Sequence, residues 1–350
     1  MQELVRTQID GVALDPDLAQ RLDALAPGRM RDILARSLVE EQRERDASAA
    51  RQAAMSPVAR RIDRTREAIA ARPLADADRH HIHSVIALCG LPYRRPKDDH
   101  QDVVREYGRS SLVVQPGYLK DPYTGAMVRQ GVPYGPKARL LMLHICTMAV
   151  RQNTPTIDLG DSMSAFIRDL GFAVTGGRRG TITQFKEQLN RIAASRIQLG
   201  LWSGTEARTL NSQPISSFDL WLPRSPDQRM LWNSTLTLDE VFFQSLKAHA
   251  LPVDIRALRA FAHSARQIDI ILWLSYRLPT VKRPYRLAWR PLADQFGRDV
   301  KTFRRFKQDF AEDVAQIRAA FPRLRIRLDE RGLLMTPSRT DQLFVPPKGK

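Results

Sequence analysis

The chain has 350 residues, enough for two or three domains, and its 43% apolar content is that of an ordinary globular protein. No uncharged apolar run reaches the 18 residues that a membrane-spanning helix needs, and the first residues lack the apolar core of a secretory signal, so we expect a cytoplasmic protein with no membrane partner. The two cysteines, Cys89 and Cys146, lie far apart, which argues against a disulfide framework or a zinc–cysteine site.

Positive charge is concentrated in the later part of the chain. The sequence contains 55 Lys and Arg against 38 Asp and Glu, a formal net charge of +17. Residues 1–80 hold 14 charges of each sign, so the surplus lies in residues 81–350, and residues 261–350 hold 19 basic against 9 acidic residues. This distribution favours a basic face that binds nucleic acid, and the alternative is a generally basic, Arg-rich soluble protein.

Residues 1–80 are rich in Ala and Arg, and they contain good helix formers but few apolar residues. They predict a helical, charge-balanced N-terminal arm that serves dimerisation or partner binding.

Three histidines follow in RHHIHSVIALCGLP, residues 79–92. The triplet His81–Ile82–His83 resembles the metal site of enzymes that nick DNA, a chemistry that needs both histidines on one face of a strand. Apolar residues from Ile82 to Cys89 instead follow helical spacing, which would point the two histidines apart. We therefore expect a partly exposed helix start and no metal site.

Residues 136–222 predict a helix, a strand, a second helix, a glycine-rich turn, a third helix and two alternating strands, RIQLGLW and ISSFDLWLP, joined by the polar loop SGTEARTLNSQP. This is the order of a winged helix-turn-helix, with the third helix as the reader and the loop as the wing. The order recurs from PVDIRALRAFAHS to LRIRLDERGLLMTPS. The predicted class is mainly α with small β-hairpins (α+β): a helical arm (1–80), two tandem winged-helix domains (81–238 and 239–340) and a flexible tail (341–350).

The stretch VTGGRRGTITQFKEQLNRI places three glycines and two arginines before the third helix. Glycines permit close approach of the backbone to a phosphate, and the helix start offers unpaired N–H groups. If Ile182, Phe185, Leu189 and Ile192 are buried, the opposite face can read base edges. An ordinary solvated helix face with a flexible turn is the alternative. The candidate DNA-binding residues here are Arg178, Arg179, Thr183, Gln184, Glu187 and Arg191.

The second predicted reading helix, RDVKTFRRFKQDFAEDVAQIRAAFP, repeats this pattern with more positive charge. A stripe from Val300 and Phe303 to Ile317 should be buried, with cations opposite. In the following hairpin, arginines alternate with apolar residues, a pattern suited to phosphates or to a protected sheet edge. The candidate DNA-binding residues here are Arg298, Lys301, Arg304, Arg305, Gln308, Arg323, Arg325 and Arg327.

Catalytic signatures are missing from the sequence. It contains no phosphate-binding loop, no nucleophile elbow, no H-E-x-x-H and no C-x-x-C motif, and TGGRRG lacks the glycine spacing of a dinucleotide site. We expect a protein that is not an enzyme and needs no cofactor and no metal.

The segments LPYRRP, VPYGPKARLL, LGDSMSAFIRDLGF, VTGGRRGTITQFKEQLNRI, IILWLSYRL, WRPLADQFG and RGLLMTPS together resemble the plasmid-encoded RepA replication-initiator family (RepA C-terminal family) over about residues 91–338. The resemblance implies a non-catalytic initiator that binds double-stranded DNA repeats at a plasmid origin, helps to melt adjacent DNA and recruits host replication initiator and helicase proteins. It also implies that monomers and a homodimer have different roles.

Two other functions stay open at this point. A winged-helix transcription regulator that represses its own gene would have the same fold. A metal-dependent nicking enzyme would use His81 and His83.

Overall fold

The computed structural model describes residues 8–121, 124–177, 179–202, 204–220, 234–298 and 300–337. Within these ranges the chain forms twelve α-helices and six small sheets, in which every strand pair is antiparallel. The predicted α+β class with small antiparallel sheets agrees with this arrangement. No helix in the described ranges is long and apolar enough to cross a membrane.

The chain divides into two compact units, one up to Arg61 and one from Ile62 onward. The first unit has its own small core of Leu14, Leu18, Leu22 and Leu38. The predicted boundaries of domains and tail stay predictions. The first unit contains β1 (Gln8–Ile9), β2 (Val12–Ala13), α1 (Pro16–Asp23), α2 (Arg29–Ala54) and the start of α3 (Pro57–Ala71).

The second unit contains, near its start, one strand that the sequence pattern did not indicate. The segment predicted as one helix from Ile82 is a strand followed by a short helix. The elements are β3 (Arg79–His83), α4 (Ser84–Cys89), β4 (Val103–Tyr107), β5 (Ser110–Gln115), β6 (Tyr118–Lys120) and β7 (Met127–Arg129).

A helix-rich segment follows and matches the predicted order as far as the third helix. The glycine-rich stretch runs from the end of the second helix into the third, as expected. The elements are α5 (Gly135–Gln152), β8 (Thr156–Asp158), α6 (Gly160–Asp169), α7 (Thr181–Ala194), β9 (Arg196–Trp202), β10 (Ala207–Ser212), β11 (Ile215–Leu220) and β12 (Ser234–Leu238).

The last part of the chain repeats this order after a connecting helix. Its elements are α8 (Glu240–His249), β13 (Ala250–Asp254), α9 (Ile255–Arg259), α10 (Ala265–Arg277), β14 (Tyr285–Ala288), α11 (Trp289–Phe296), α12 (Phe303–Ala320), β15 (Ile326–Asp329) and β16 (Gly332–Met335). The segment predicted as a helix from Pro252 starts as strand β13, which pairs with β3.

Two three-stranded sheets share one strand order. The strands of the sheet β8–β12–β11 come from the segment that contains α5, α6 and α7. The strands of the sheet β14–β16–β15 come from the segment that contains α10, α11 and α12. In both, the first strand of the segment pairs with the last, which lies in the centre. Apart from β9 and β10, which belong to a different sheet, the two halves therefore repeat in element order and in the strand order of these sheets.

The hairpin predicted as the first wing does not form as expected. The polar loop contains strand β10, which pairs with β9 in a four-stranded sheet, β10–β9–β5–β4. Strand β11 belongs to the other sheet and pairs with β12. Residues 221–233, which connect β11 and β12, lie outside the described residues, as does the predicted tail.

One core spans both halves of the second unit, and a buried ion pair crosses it. Arg139 on α5 donates from Nε to Asp269 on α10 (2.6 Å) and from Nη2 to the other carboxylate oxygen (2.7 Å). Arg139 also donates to the carbonyl oxygens of Pro92 and Gly135. Burial raises the pKa of the Asp269 carboxyl, and Arg139 opposes that shift. The pair thus joins the first helices of the two repeats.

Candidate nucleic-acid interface

The start of α12 presents exposed cations. Thr302 caps the helix, because its Oγ1 accepts a hydrogen bond from the Arg305 amide at 3.2 Å. Arg304, Arg305 and Gln308 are exposed on the face opposite the buried Phe306 and Phe310. The predicted outward face is confirmed for these three residues.

The three cations at this end differ in their ion pairs. Arg305 forms an ion pair with Asp309 one turn later, 2.8 Å between Nε and Oδ1. Within the described ranges Arg304 and Lys301 form no ion pair. Lys301 precedes the helix, so its predicted place on the helix face is wrong: α12 begins only after the cap at Thr302.

Arg298 holds the turn before α12 in place. Its Nε donates to the Asp294 carbonyl oxygen at 2.9 Å, and its Nη2 donates to the Glu106 carbonyl oxygen on β4 at 3.2 Å. The side chain is exposed. It therefore anchors the α11–α12 turn to the four-stranded sheet as well as adding charge near α12.

The arginines that lead into and along β15 alternate with apolar residues as predicted. Arg323, Arg325 and Arg327 are exposed, whereas Leu324 and Ile326 are buried. They are not equally close to the start of α12. That helix has 18 residues and a length of about 27 Å, so Arg323 follows its far end. There it lines a cavity together with residues of α3.

The tip of the β15–β16 hairpin is fixed by Asp329. Its Oδ1 accepts hydrogen bonds from the amides of Arg331 (2.9 Å) and Gly332 (3.2 Å), and Arg286 on β14 pairs with the same carboxylate. The hydrogen bond from Arg286 lowers the pKa of Asp329 to about 2. Arg331 is exposed at the tip. The sequence reasoning did not select Arg331, although its place in the Asp-Glu-Arg-Gly turn was a usable signal.

The glycine-rich turn before α7 folds back on the helix. Thr175 accepts two hydrogen bonds, from the Thr181 amide to its Oγ1 (3.0 Å) and from the Ile182 amide to its carbonyl oxygen (3.2 Å). A Cβ at Gly180 would overlap the carbonyl oxygens of Thr175 and Gly176, so only glycine fits there. The expectation of unpaired N–H groups is therefore wrong for the first two residues of α7.

Two predicted readers on α7 support this turn. Thr183 Oγ1 donates to the Gly177 carbonyl oxygen at 2.7 Å, and Gln184 Nε2 donates to the Arg179 carbonyl oxygen at 3.0 Å. Both side chains and Arg179 are exposed. Arg178 lies outside the described residues.

Arg191 is not on the exposed face of α7, which corrects the prediction. It is 6% exposed, because Nη1 donates to Asp99 (2.6 Å) and to the Val132 carbonyl oxygen (3.1 Å). Its Nη2 lies 3.1 Å from Glu187, which is exposed but paired. Helical spacing placed Arg191 opposite the core, but the segment before α5 covers that side of the helix.

Asp99 completes this buried network. Burial raises the pKa of its carboxyl, but hydrogen bonds from Arg191 and Arg95 outweigh that effect and hold the pKa below its ordinary value. A Cβ at Gly131 would overlap both Arg191 and Asp99, so the loop approaches closely at that glycine. Arg191 therefore stabilises the fold around α7.

The histidine triplet lies on strand β3, so the helix expected there was wrong. The helical spacing arose where the strand meets α4. His83 is buried, its Nε2 lies 3.0 Å from Ser245 Oγ, and its Nδ1 accepts from the Val85 amide. Within the described ranges no three His, Cys, Asp or Glu residues lie close enough to hold a metal ion.

Part of the chain matches a known protein family. Residues 132–290 match the model of the RepA_C family, described as plasmid encoded RepA protein. The chain thus resembles this family over α5 to β14, a narrower range than residues 91–338, over which the sequence segments predicted the resemblance. Helix α12 and the β15–β16 hairpin lie beyond the match.

Two solved structures match the chain at low sequence identity. The crystal structure of domains 2–3 of RctB has 10% identity and a TM-score of 0.44, covering 72% of this chain and 94% of that one. Selenomethionine derivatives of domains 2 and 3 of RctB give 11% identity and a TM-score of 0.44, with coverages of 67% and 84%. No curated protein matches the sequence.

Proposed function

We propose that this protein is a cytoplasmic, non-catalytic plasmid replication initiator that binds origin repeats in double-stranded DNA. The match of residues 132–290 to the family described as plasmid encoded RepA protein carries this proposal. The exposed cations at the start of α12 and in the hairpin that follows agree with a polyanionic ligand.

We further propose that each repeated half is a winged helix. The shared element order, two helices before a hairpin whose last strand lies in the sheet centre, supports this reading. In helix-turn-helix proteins the N-terminal residues of the second helix contact base edges. On this proposal Arg304, Arg305 and Gln308 enter the major groove, and Arg327 and Arg331 contact phosphates.

The mechanism is binding followed by deformation of the origin. Specific affinity concentrates the protein at repeated sites, and bending of the bound DNA promotes opening of the neighbouring duplex. Host replication initiator and helicase proteins are the proposed partners, and a homodimer is a proposed second state of the chain.

The test is a plasmid that carries the DNA beside the gene as its sole origin. The full-length protein supplied from a second replicon should support its replication, and footprinting should show protection of repeated sites. A protein that protects this DNA and represses its own promoter without supporting replication would be a regulator instead.

A nicking activity is tested on the same plasmid in supercoiled form. The proposal expects no nicked circles with magnesium or manganese, and His81→Ala should leave replication unchanged. Metal-dependent nicking that His81→Ala removes would replace the binding mechanism with a catalytic one.

A further inference from the structure

Phe303 is the exception among the phenylalanines whose side chains the structure describes. Ten others whose side chains the structure describes are buried, and Phe303 is 46% exposed. The sequence pattern predicts it in the buried stripe of α12, and the structure corrects that prediction. The stripe continues past the end of the core, so its first ring reaches solvent.

The exposed ring is held in one place. Phe303 is the first residue of α12, immediately after the Thr302 cap. Lys307 lies one turn later, with its Nζ 5.9 Å from the Phe303 ring centroid and 5.0 Å from that of Trp289. This cation between two rings restrains Phe303 against the helix end.

The charged residues around the Phe303 ring indicate which ligand it contacts. Lys301 and Arg304 are exposed beside it, and Arg305 follows. The ring can pack on an apolar group of a ligand, and the cations around the ring can bind negative charges that surround that group. In the major groove of DNA that group is the C5-methyl of thymine, flanked by phosphates.

We propose that Phe303 is a specificity-determining residue that packs on the methyl group of one thymine in each site bound by α12. This inference rests on the proposed DNA-binding function. It adds an apolar contact to the hydrogen-bonding contacts of Arg304, Arg305 and Gln308, and it makes thymine preferred over cytosine and uracil at one position.

The experiment uses the full-length protein and a duplex selected by it from a random-sequence library. Each thymine of that duplex is replaced in turn by uracil, which keeps the pairing edge and removes only the methyl group. Wild-type protein should bind one of these duplexes about fourfold more weakly, on the scale of one buried methyl group. Phe303→Ala should bind the thymine duplex more weakly and should not distinguish it from the uracil duplex.

The matched control is Val241→Ala, which truncates an apolar side chain that is exposed on α8, outside the proposed reading helices. It should keep both the affinity and the thymine preference. Circular dichroism and unfolding midpoints of Phe303→Ala and Phe303→Leu check that α12 remains folded, and the leucine should retain part of the preference.

The outcomes separate this inference from the function on which it rests. If the wild-type protein selects no duplex, the DNA-binding function fails. If it selects a duplex but tolerates every uracil, or if Phe303→Ala keeps the same thymine preference, then Phe303 is only a core-edge residue and the inference is overturned.

Discussion

The arginines of the candidate interface differ in what surrounds them, and this determines what each substitution should change. Arg304 is exposed without an ion pair among the described residues, Arg305 is exposed and paired with Asp309, and Arg191 is buried in a network with Asp99. Residues of the same type therefore fall into two groups: those available to DNA and those that hold the fold together.

Arg304→Ala combined with Arg305→Ala should weaken binding of the selected duplex by more than about 2 kcal/mol, on the scale of losing base or phosphate contacts. Binding titrations at 50 to 200 mM salt measure this, and the slope of log affinity against log salt should flatten by about one to two units. Removing the same charge from α2, by Arg43→Ala with Arg51→Ala, is the control and should leave the slope unchanged. Unchanged affinity in the α12 variant would remove that helix from the interface.

Arg191→Ala should act on stability. The change leaves the buried Asp99 carboxylate with Arg95 as its remaining arginine partner, which should reduce the free energy of unfolding by about 3 kcal/mol. Urea unfolding of this variant, with Arg304→Ala as the exposed control, measures the difference. If the Arg191→Ala protein is fully stable but binds DNA more weakly, Arg191 contacts DNA as the sequence predicted.

The glycine-rich turn resembles a phosphate-binding site in sequence, but in the structure it packs against the start of α7 and satisfies the first amides of that helix. Its first two helix amides are satisfied by Thr175, and Gly180 leaves room for that contact. Gly176 is different, because a Cβ there would meet open space. The two glycines lie close together in the sequence, but only Gly176 has room for a side chain.

Gly180→Ala should therefore destabilise the start of α7 by more than about 1 kcal/mol, because the new methyl group overlaps two carbonyl oxygens. Gly176→Ala, the matched control, should be close to neutral. Unfolding midpoints and hydrogen exchange at the Thr181 and Ile182 amides measure both. Equal behaviour of the two variants would contradict the packing described for this turn.

Local sequence patterns predicted the elements whose signals are local. Helices α5, α7 and α10 and the β15–β16 hairpin follow their periodicity and turn residues. The strands β3 and β13 were missed, because they pair with each other across more than 160 residues and apolar spacing at each strand–helix junction mimics a helix. For the same reason the sequence could not show that the segment before α5 buries Arg191.

At the scale of the whole molecule, buried histidines couple folding to pH. Burial lowers the pKa of His80 to about 3 and those of His83 and His144 to about 4. In the unfolded chain these groups titrate near 6.5, so below that pH the unfolded state binds more protons than the folded state. The contribution of these three neutral rings to stability is fully present well above pH 6.5 and is lost as the pH falls toward 4.

Urea unfolding at pH 7.5 and pH 5.0 should therefore differ by several kcal/mol, about 2 kcal/mol for each buried histidine. His144→Phe keeps a ring stacked on Phe166 and should remove about one third of the difference. His100→Gln changes a partly exposed histidine outside this group and should leave the difference intact. A stability that does not change between these pH values would contradict the neutral state of the three rings.

The ion pair between Arg139 and Asp269 has a consequence for the spacing of DNA sites. It links α5 to α10, so the two repeats keep a fixed separation, and so would α7 and α12 if both are reading helices. If both halves engage one duplex, their target sequences must keep a fixed rotational phase. Inserting about five base pairs between them would turn one target to the opposite side of the duplex, whereas about ten would restore its orientation but lengthen the gap. The buried ion pair would thus determine the spacing between the two target sequences in the DNA.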